Sequence, residues 1–304
     1  MSYTAERPRP KPGTGPGTDW RGLALLLFAV VGWGSNWAPL KLLLREMPPL
    51  TARAWAGLAA ALLLALVMRA RGVDLRVPKG LWPRLWLAAL LNITAWMGLV
   101  SVALLWLDAS EGIVLSYSMP VWAALIAWPV LGEKPTLYRV LALVCGVGGV
   151  ALVMLGNGLQ LGTGKLPGVA LCLVASVSFA LGTVITKRWP LAMAPGAAVV
   201  WQVGLGMLPL VVGALLLERP DIGAVSTGGW VILAYMAVFP LCLCYLAWFA
   251  ALRRLPASLC TQGSLLSPVV GMMGSALLLE EPFGPRQIAA FLLIVVGVVL
   301  AVRG

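Results

Sequence analysis

Histidine is absent from this 304-residue chain, and charge is scarce: 11% of residues are Asp, Glu, Lys or Arg against 61% hydrophobic. The missing imidazole removes the commonest general acid–base group. No phosphate-cradling glycine loop, metal-ligand cluster or nucleophile–base pair is legible either. The residues therefore predict no enzyme, no cofactor and no bound metal. Acidic residues are few, 11 against 22 basic ones, a balance that nucleic-acid binders share, but the placement of the basic residues argues otherwise below. The five cysteines, Cys145, Cys172, Cys242, Cys244 and Cys260, all fall inside apolar stretches, which excludes a framework of loop disulfides and reads as small core residues.

What the chain has is apolar length. After Asp19 it falls into ten stretches, 20–38, 50–68, 83–102, 109–130, 138–155, 168–186, 196–217, 230–250, 257–279 and 285–302. A helix needs about 20 apolar residues to cross a bilayer core. With a mean hydropathy of +0.94, no soluble fold hides this much apolar surface, so an all-α membrane protein with ten spans is expected. Residues 1–19, rich in Pro, Gly and Arg, bury nothing and read as a disordered tail. They are no cleavable signal peptide, because the first apolar run is full length and lacks a cleavage site.

With the N-terminus inside, 16 Lys and Arg outside the spans fall on the cytoplasmic side and 5 (Lys41, Arg45, Lys165, Arg219 and Arg286) on the other. This asymmetry is that of the positive-inside rule. It predicts a multi-pass protein of the cell (inner) membrane with both termini cytoplasmic, and it makes the lipid bilayer, not nucleic acid, the partner.

Shifting the chain by 148 residues aligns Asp108–Leu152 with Pro256–Leu300 without a gap, pairing Ala109 with Ala257, Ser110 with Ser258, Ser116 with Ser264, Pro120 with Pro268 and Glu133 with Glu281. Two five-helix units follow, 20–155 and 156–304. Five is odd, so the second unit enters the membrane from the opposite side. Inverted repeats of this kind surround a midplane site and support alternating access.

The run Gly32-Trp33-Gly34-Ser35-Asn36, Arg53, Pro120, Leu131-Gly132-Glu133, Ser267-Pro268 and Glu280-Glu281-Pro282, taken with ten spans and a duplication, resembles the ten-helix EamA-type exporters of the drug/metabolite transporter superfamily. The sequence looks most like their bacterial aromatic amino-acid exporters. The resemblance implies a central cavity lined mainly by spans one, three, four, six, eight and nine, with five and ten packed outside.

From the residues themselves, Pro120 and Pro268 are expected as hinges inside spans four and nine, each freeing the carbonyl four residues earlier, on Ser116 and Ser264. A wet cavity would satisfy those groups, and they would meet a substrate ammonium; alternatively each proline only kinks its helix. Trp33, Asn36, Asn92, Trp96, Tyr117, Phe179, Thr183, Tyr245 and Trp248 place aromatic and amide groups within spans one, three, four, six and eight, and Gln262 adds a polar group on span nine. Such a wall suits a small amphipathic solute, while membrane proteins also place such rings at interfaces as anchors, as Trp20, Trp82, Trp86, Trp106, Trp189 and Trp230 are expected to be. Gly263, Ser267, Gly271 and Ser275 read as a small-residue packing stripe. Arg53 reads as snorkelling toward the outer surface, with steering of a carboxylate or closure of the outer gate as the alternative, and Glu133 and Glu281 read as favourable charges ahead of the helices that follow them. No carboxylate lies near the centre of a span, so facilitated, gradient-driven movement is expected.

The expectation is a monomeric carrier exporting amino acids, aromatic or large neutral, by alternating access. The alternatives are a carrier of sugar phosphates or drugs and an integral membrane enzyme.

Overall fold

Hydropathy alone dictates most of the architecture. The computed structural model describes residues 19–132, 136–154, 163–255, 260, 263–264, 266–281 and 284–303, and among them it is helical with no strand. In chain order the helices are α1 (Trp20–Leu43), α2 (Pro49–Ala70), α3 (Trp82–Ala103), α4 (Ala109–Leu131), α5 (Leu137–Met154), α6 (Leu166–Arg188), α7 (Pro195–Leu217), α8 (Thr227–Leu252), α9 (Leu266–Leu279) and α10 (Pro285–Arg303). Seven of them, all except α5, α9 and α10, are long and apolar enough to cross a membrane. Their bounds follow the sequence reading within a few residues, except that α1 runs five residues further, to Leu43. Prolines sit in the first turn of α2, α3, α6 and α7, where the missing N–H is not needed.

Neighbouring helices form a chain: α3 lies against α6, α6 against α4, α4 against α9, α9 against α1 and α1 against α8. The pairs α2–α7 and α5–α10 flank it, with α2 also on α8 and α7 on α3. These pairs map onto one another when each helix is exchanged for the one five places along, whereas the contacts of α4 with α5 and α10 fall outside that exchange. The contacts are close because glycines face neighbouring backbone and side chains. A Cβ on Gly34 would strike the Ser267 carbonyl, and one on Gly271 would lie 2.8 Å from Ile113 Cδ1 and 3.2 Å from the Gly34 carbonyl. The expected small-residue stripe on α9 therefore packs against α1 and α4. Trp20, Trp106 and Trp189, expected as interface anchors, are exposed at helix ends, and the cysteines are free.

Four helices are irregular near their middles. α1 turns at Ser35–Asn36 and α4 at Tyr117–Ser118, while α3 and α8 widen into π-helix at Leu90–Leu99 and Phe239–Leu243. Pro39 and Pro120 fall in the first turn after each of the two breaks, which is where a proline is accommodated. Pro240 begins the widened turn of α8. Pro120 is therefore not a proline inside a continuous helix, as expected from its position in the span. It restarts one. Pro268 is buried within α9.

Candidate functional site

The expected site residues gather at these irregular places. Between α1 and α8, the Trp33 ring meets Tyr245 edge-on at 5.4 Å and lies 5.3 Å from Trp248. Its indole Nε1 donates to the Pro240 carbonyl at 3.0 Å, inside the π-helical turn. Between α3 and α6, Trp96 packs on Phe179 at 5.1 Å. One turn along, Asn92 presses against Gly182, where a Cβ would collide with its Oδ1. Thr183 is exposed, and its hydroxyl donates to the Phe179 carbonyl of its own helix at 2.9 Å. Asn36 lies at the break of α1, beside the crossing of Gly34 and Ser267. Tyr117 lies at the break of α4 with its hydroxyl toward Ser267. Ser264 is half-buried, and Gln262 lies outside the described residues.

The expected free carbonyl at α4 has crowded surroundings. The Ser116 carbonyl lies 3.4 Å from the Ser176 hydroxyl of α6, whose single proton has a nearer acceptor at 2.9 Å in the Cys172 carbonyl of its own helix. Ser118 donates to the Leu115 carbonyl at 2.6 Å, so a hydroxyl from the break itself heals part of what the restart opens. The Ser116 side chain is fully buried, facing Cys172.

Polar atoms remain unsatisfied elsewhere. Asn36 Oδ1, Asn92 Oδ1, Ser116 Oγ and Ser267 Oγ are enclosed with no hydrogen bond of good geometry among the described residues, the nearest groups being Cys172 for Ser116 and the Tyr117 hydroxyl for Ser267. Each such atom costs about 1–3 kcal/mol, and all four lie on helices that border the α3–α6–α4–α9–α1 chain. Sequence reasoning found three of them and missed Ser267, which it assigned to packing.

One end of the bundle is tied by carboxylates. Glu281 accepts from the backbone N–H groups of Ala109 at 2.6 Å and Ser110 at 2.9 Å, the first turn of α4. It thus caps α4, not α10, as its position before Pro282 had suggested; Glu280 takes a left-handed φ of 55°, and the chain turns there. Gly132, 148 residues earlier, does the same with φ 73° at the end of α4. Glu218 accepts from the N–H groups of Leu50 and Thr51 and from the Thr51 hydroxyl, at 2.7–2.9 Å. Glu46 accepts from the Ser226 N–H and hydroxyl. Helix N-termini favour anions in this position. Lys165 bridges Asp108 at 3.2 Å and Glu111 at 2.8 Å. Burial alone would lower the Lys165 pKa, but the bonds and charges of Glu111 and Asp108 outweigh it and raise the pKa above the usual lysine value. Lys41 donates to the carbonyls of Leu104 and Leu107 at the end of α3. Glu133 lies outside the described residues.

Arg53 does not snorkel. It is 6% exposed, and its Nε donates to Ser101 Oγ at 2.6 Å, which in turn donates to the Met97 carbonyl at 2.7 Å.

The model of the EamA-like transporter family matches this chain twice, over residues 20–155 and 166–303. The chain belongs to that family. A relative, the uncharacterized transporter YvbV of Bacillus subtilis, is 31% identical over 277 residues, 91% of this chain and 90% of its own length. A Salmonella typhimurium protein described as a probable amino-acid metabolite efflux pump is 29% identical over 300 residues, 92% of this chain and 94% of its own. A crystal structure 18% identical in sequence shares the fold with a TM-score of 0.66, over 92% of this chain and 96% of that one. This EamA-like chain is thus a multi-pass membrane transporter of the drug/metabolite superfamily.

Proposed function

We propose that the protein is a monomeric exporter of amino acids, aromatic or large neutral, that works by alternating access between two inverted five-helix repeats. Its ten helices cross the cell membrane, and both termini lie in the cytoplasm. The observation that carries the reading is the set of enclosed polar atoms on Asn36, Asn92, Ser116 and Ser267 that lack a hydrogen bond of good geometry, next to aromatic pairs built on α1–α8 and α3–α6. A folded protein keeps such atoms where a ligand or water completes them. The rings offer apolar faces to a side chain and π-faces to an ammonium group. The twofold match of the family model and the exchangeable helix pairs support the duplication. The relative described as an amino-acid metabolite efflux pump supports the cargo.

In this reading the carboxylate ties among α1, α2, α4, α7, α8 and α9 close the outer end, and cargo enters from the cytoplasm. With no carboxylate near the middle of a span, the substrate gradient itself drives the movement. The test is uptake of radiolabelled amino acids by liposomes holding the pure protein. Uptake faster than in empty vesicles for phenylalanine, tryptophan or leucine supports the proposal. Rates equal to empty vesicles across a broad amino-acid panel reject it.

A further inference from the structure

Arg53 is a full positive charge enclosed among helices, and the reading above gives it nothing to do. A guanidinium stays charged in a protein, and a buried charge without an opposite one is strongly unfavourable. Among the described residues no carboxylate pairs with it. Of the acids at its end of the bundle, Glu46, Asp108, Glu111, Glu218, Asp221 and Glu281 are engaged elsewhere, and Glu280 is exposed at the turn after α9. Glu218, the nearest along α2, spends both oxygens on Leu50 and Thr51.

The side chain is nevertheless held in place. Its Nε edge is fixed on Ser101, and Ser101 is fixed as acceptor because its own proton goes to the Met97 carbonyl. That leaves Nη1 and Nη2, the outer fork, with no partner among the described residues. The residue as a whole keeps 6% exposure. A planar fork with two parallel N–H groups matches a carboxylate in bidentate geometry.

We propose that the Arg53 fork binds the carboxylate of the transported molecule, so that the cargo supplies the counter-charge that none of the described residues provides. This rests on the amino-acid reading above and deepens it: the substrate class becomes solutes bearing a free carboxylate. Binding cargo then neutralises a buried charge, and release restores it.

The experiment compares L-phenylalanine, L-phenylalanine amide and phenethylamine in liposomes, with thermal unfolding of each variant in detergent as a check on folding. The wild-type protein is expected to prefer the free acid at least tenfold over the amide. Arg53→Gln is expected to raise the KM for the acid at least tenfold while leaving the amide unchanged, and Arg53→Lys to restore part of the preference. Arg53→Gln that is stably folded and still prefers the acid overturns the assignment. So does equal loss for acid and amide in either variant, which makes Arg53 structural. If the wild type carries none of the three, the amino-acid reading falls, and a thermal-shift panel of benzoate, 2-oxo acids and dicarboxylates decides Arg53 separately. Stabilisation of the wild type, less of Arg53→Lys and none of Arg53→Gln keeps the carboxylate site, and a panel that leaves the wild type unmoved, or stabilises Arg53→Gln as much, removes it.

Discussion

At the scale of single residues, small side chains set how near the helices come, and large ones define what lies between them. Gly34 faces the Ser267 backbone carbonyl, which cannot swing aside as a side chain would. Gly34→Ala is expected to lower stability by about 1–3 kcal/mol, the usual cost of overpacking. Thermal unfolding in detergent reads this directly, and an unchanged midpoint would mean that α1 and α9 separate freely. Trp96 offers a different test, because it packs on Phe179 and not at a helix end. Trp96→Ala is expected to raise the KM for tryptophan about tenfold and that for alanine far less, since stacking and buried area are lost only with an aromatic cargo. Equal effects on both would make Trp96 a packing residue. Trp33, Trp96, Asn36 and Asn92 were legible in the sequence because polar and aromatic groups stand out inside apolar runs. Ser267 was not, because a serine between glycines at four-residue spacing looks like packing, and only the crossing with Gly34 shows that its hydroxyl is enclosed.

At the scale of elements, hydropathy located the helices but not their irregularities. The break before Pro39 passed unnoticed, and Pro120 looked like a kink, because a proline fixes a local restriction and not its resolution. Its surroundings resolve it: Ser118 donates to the Leu115 carbonyl at the α4 break, and Trp33 donates to Pro240 in the widened turn of α8. The helix caps were equally hidden, since Glu281 lies 172 residues from Ala109. Glu218→Ala is expected to cost about 1–2 kcal/mol as a lost cap, again by thermal unfolding; Glu218→Gln, which can still accept, should cost less. The Lys165 tie has a pH signature. Its folded-state pKa is raised, so its contribution is complete below the ordinary lysine range near 10.4 and fades only as pH climbs through the raised value. Lys165→Met should therefore change the protein at pH 7 but add nothing at strongly alkaline pH, and a variant whose difference from wild type persists there would contradict the tie.

For the molecule as a whole, the charge asymmetry of its loops predicts that reporters fused after Gly304 and before Met1 both report a cytoplasmic position. One reporter on the far side would break the ten-span scheme and the inverted relation together. The two segments that the family model matches share Ala109, Ser110 and Glu133, which recur 148 residues later as Ala257, Ser258 and Glu281; which residues join between them was not legible, as such contacts leave no spacing in one chain. The tie at the Glu281 end has donors that belong to the peptide chain, not to any side chain. Ordinary point substitutions at positions 109 and 110 therefore leave those donors in place, and the fastening is robust to sequence drift on one of its two sides. Proline alone erases such a donor, and the extended Asp108, with φ −66° and ψ 155°, has the backbone that a following proline requires. Ala109→Pro would thus unfasten one strand of the clasp while leaving the acid and the helix intact, a change that no alanine scan would reveal.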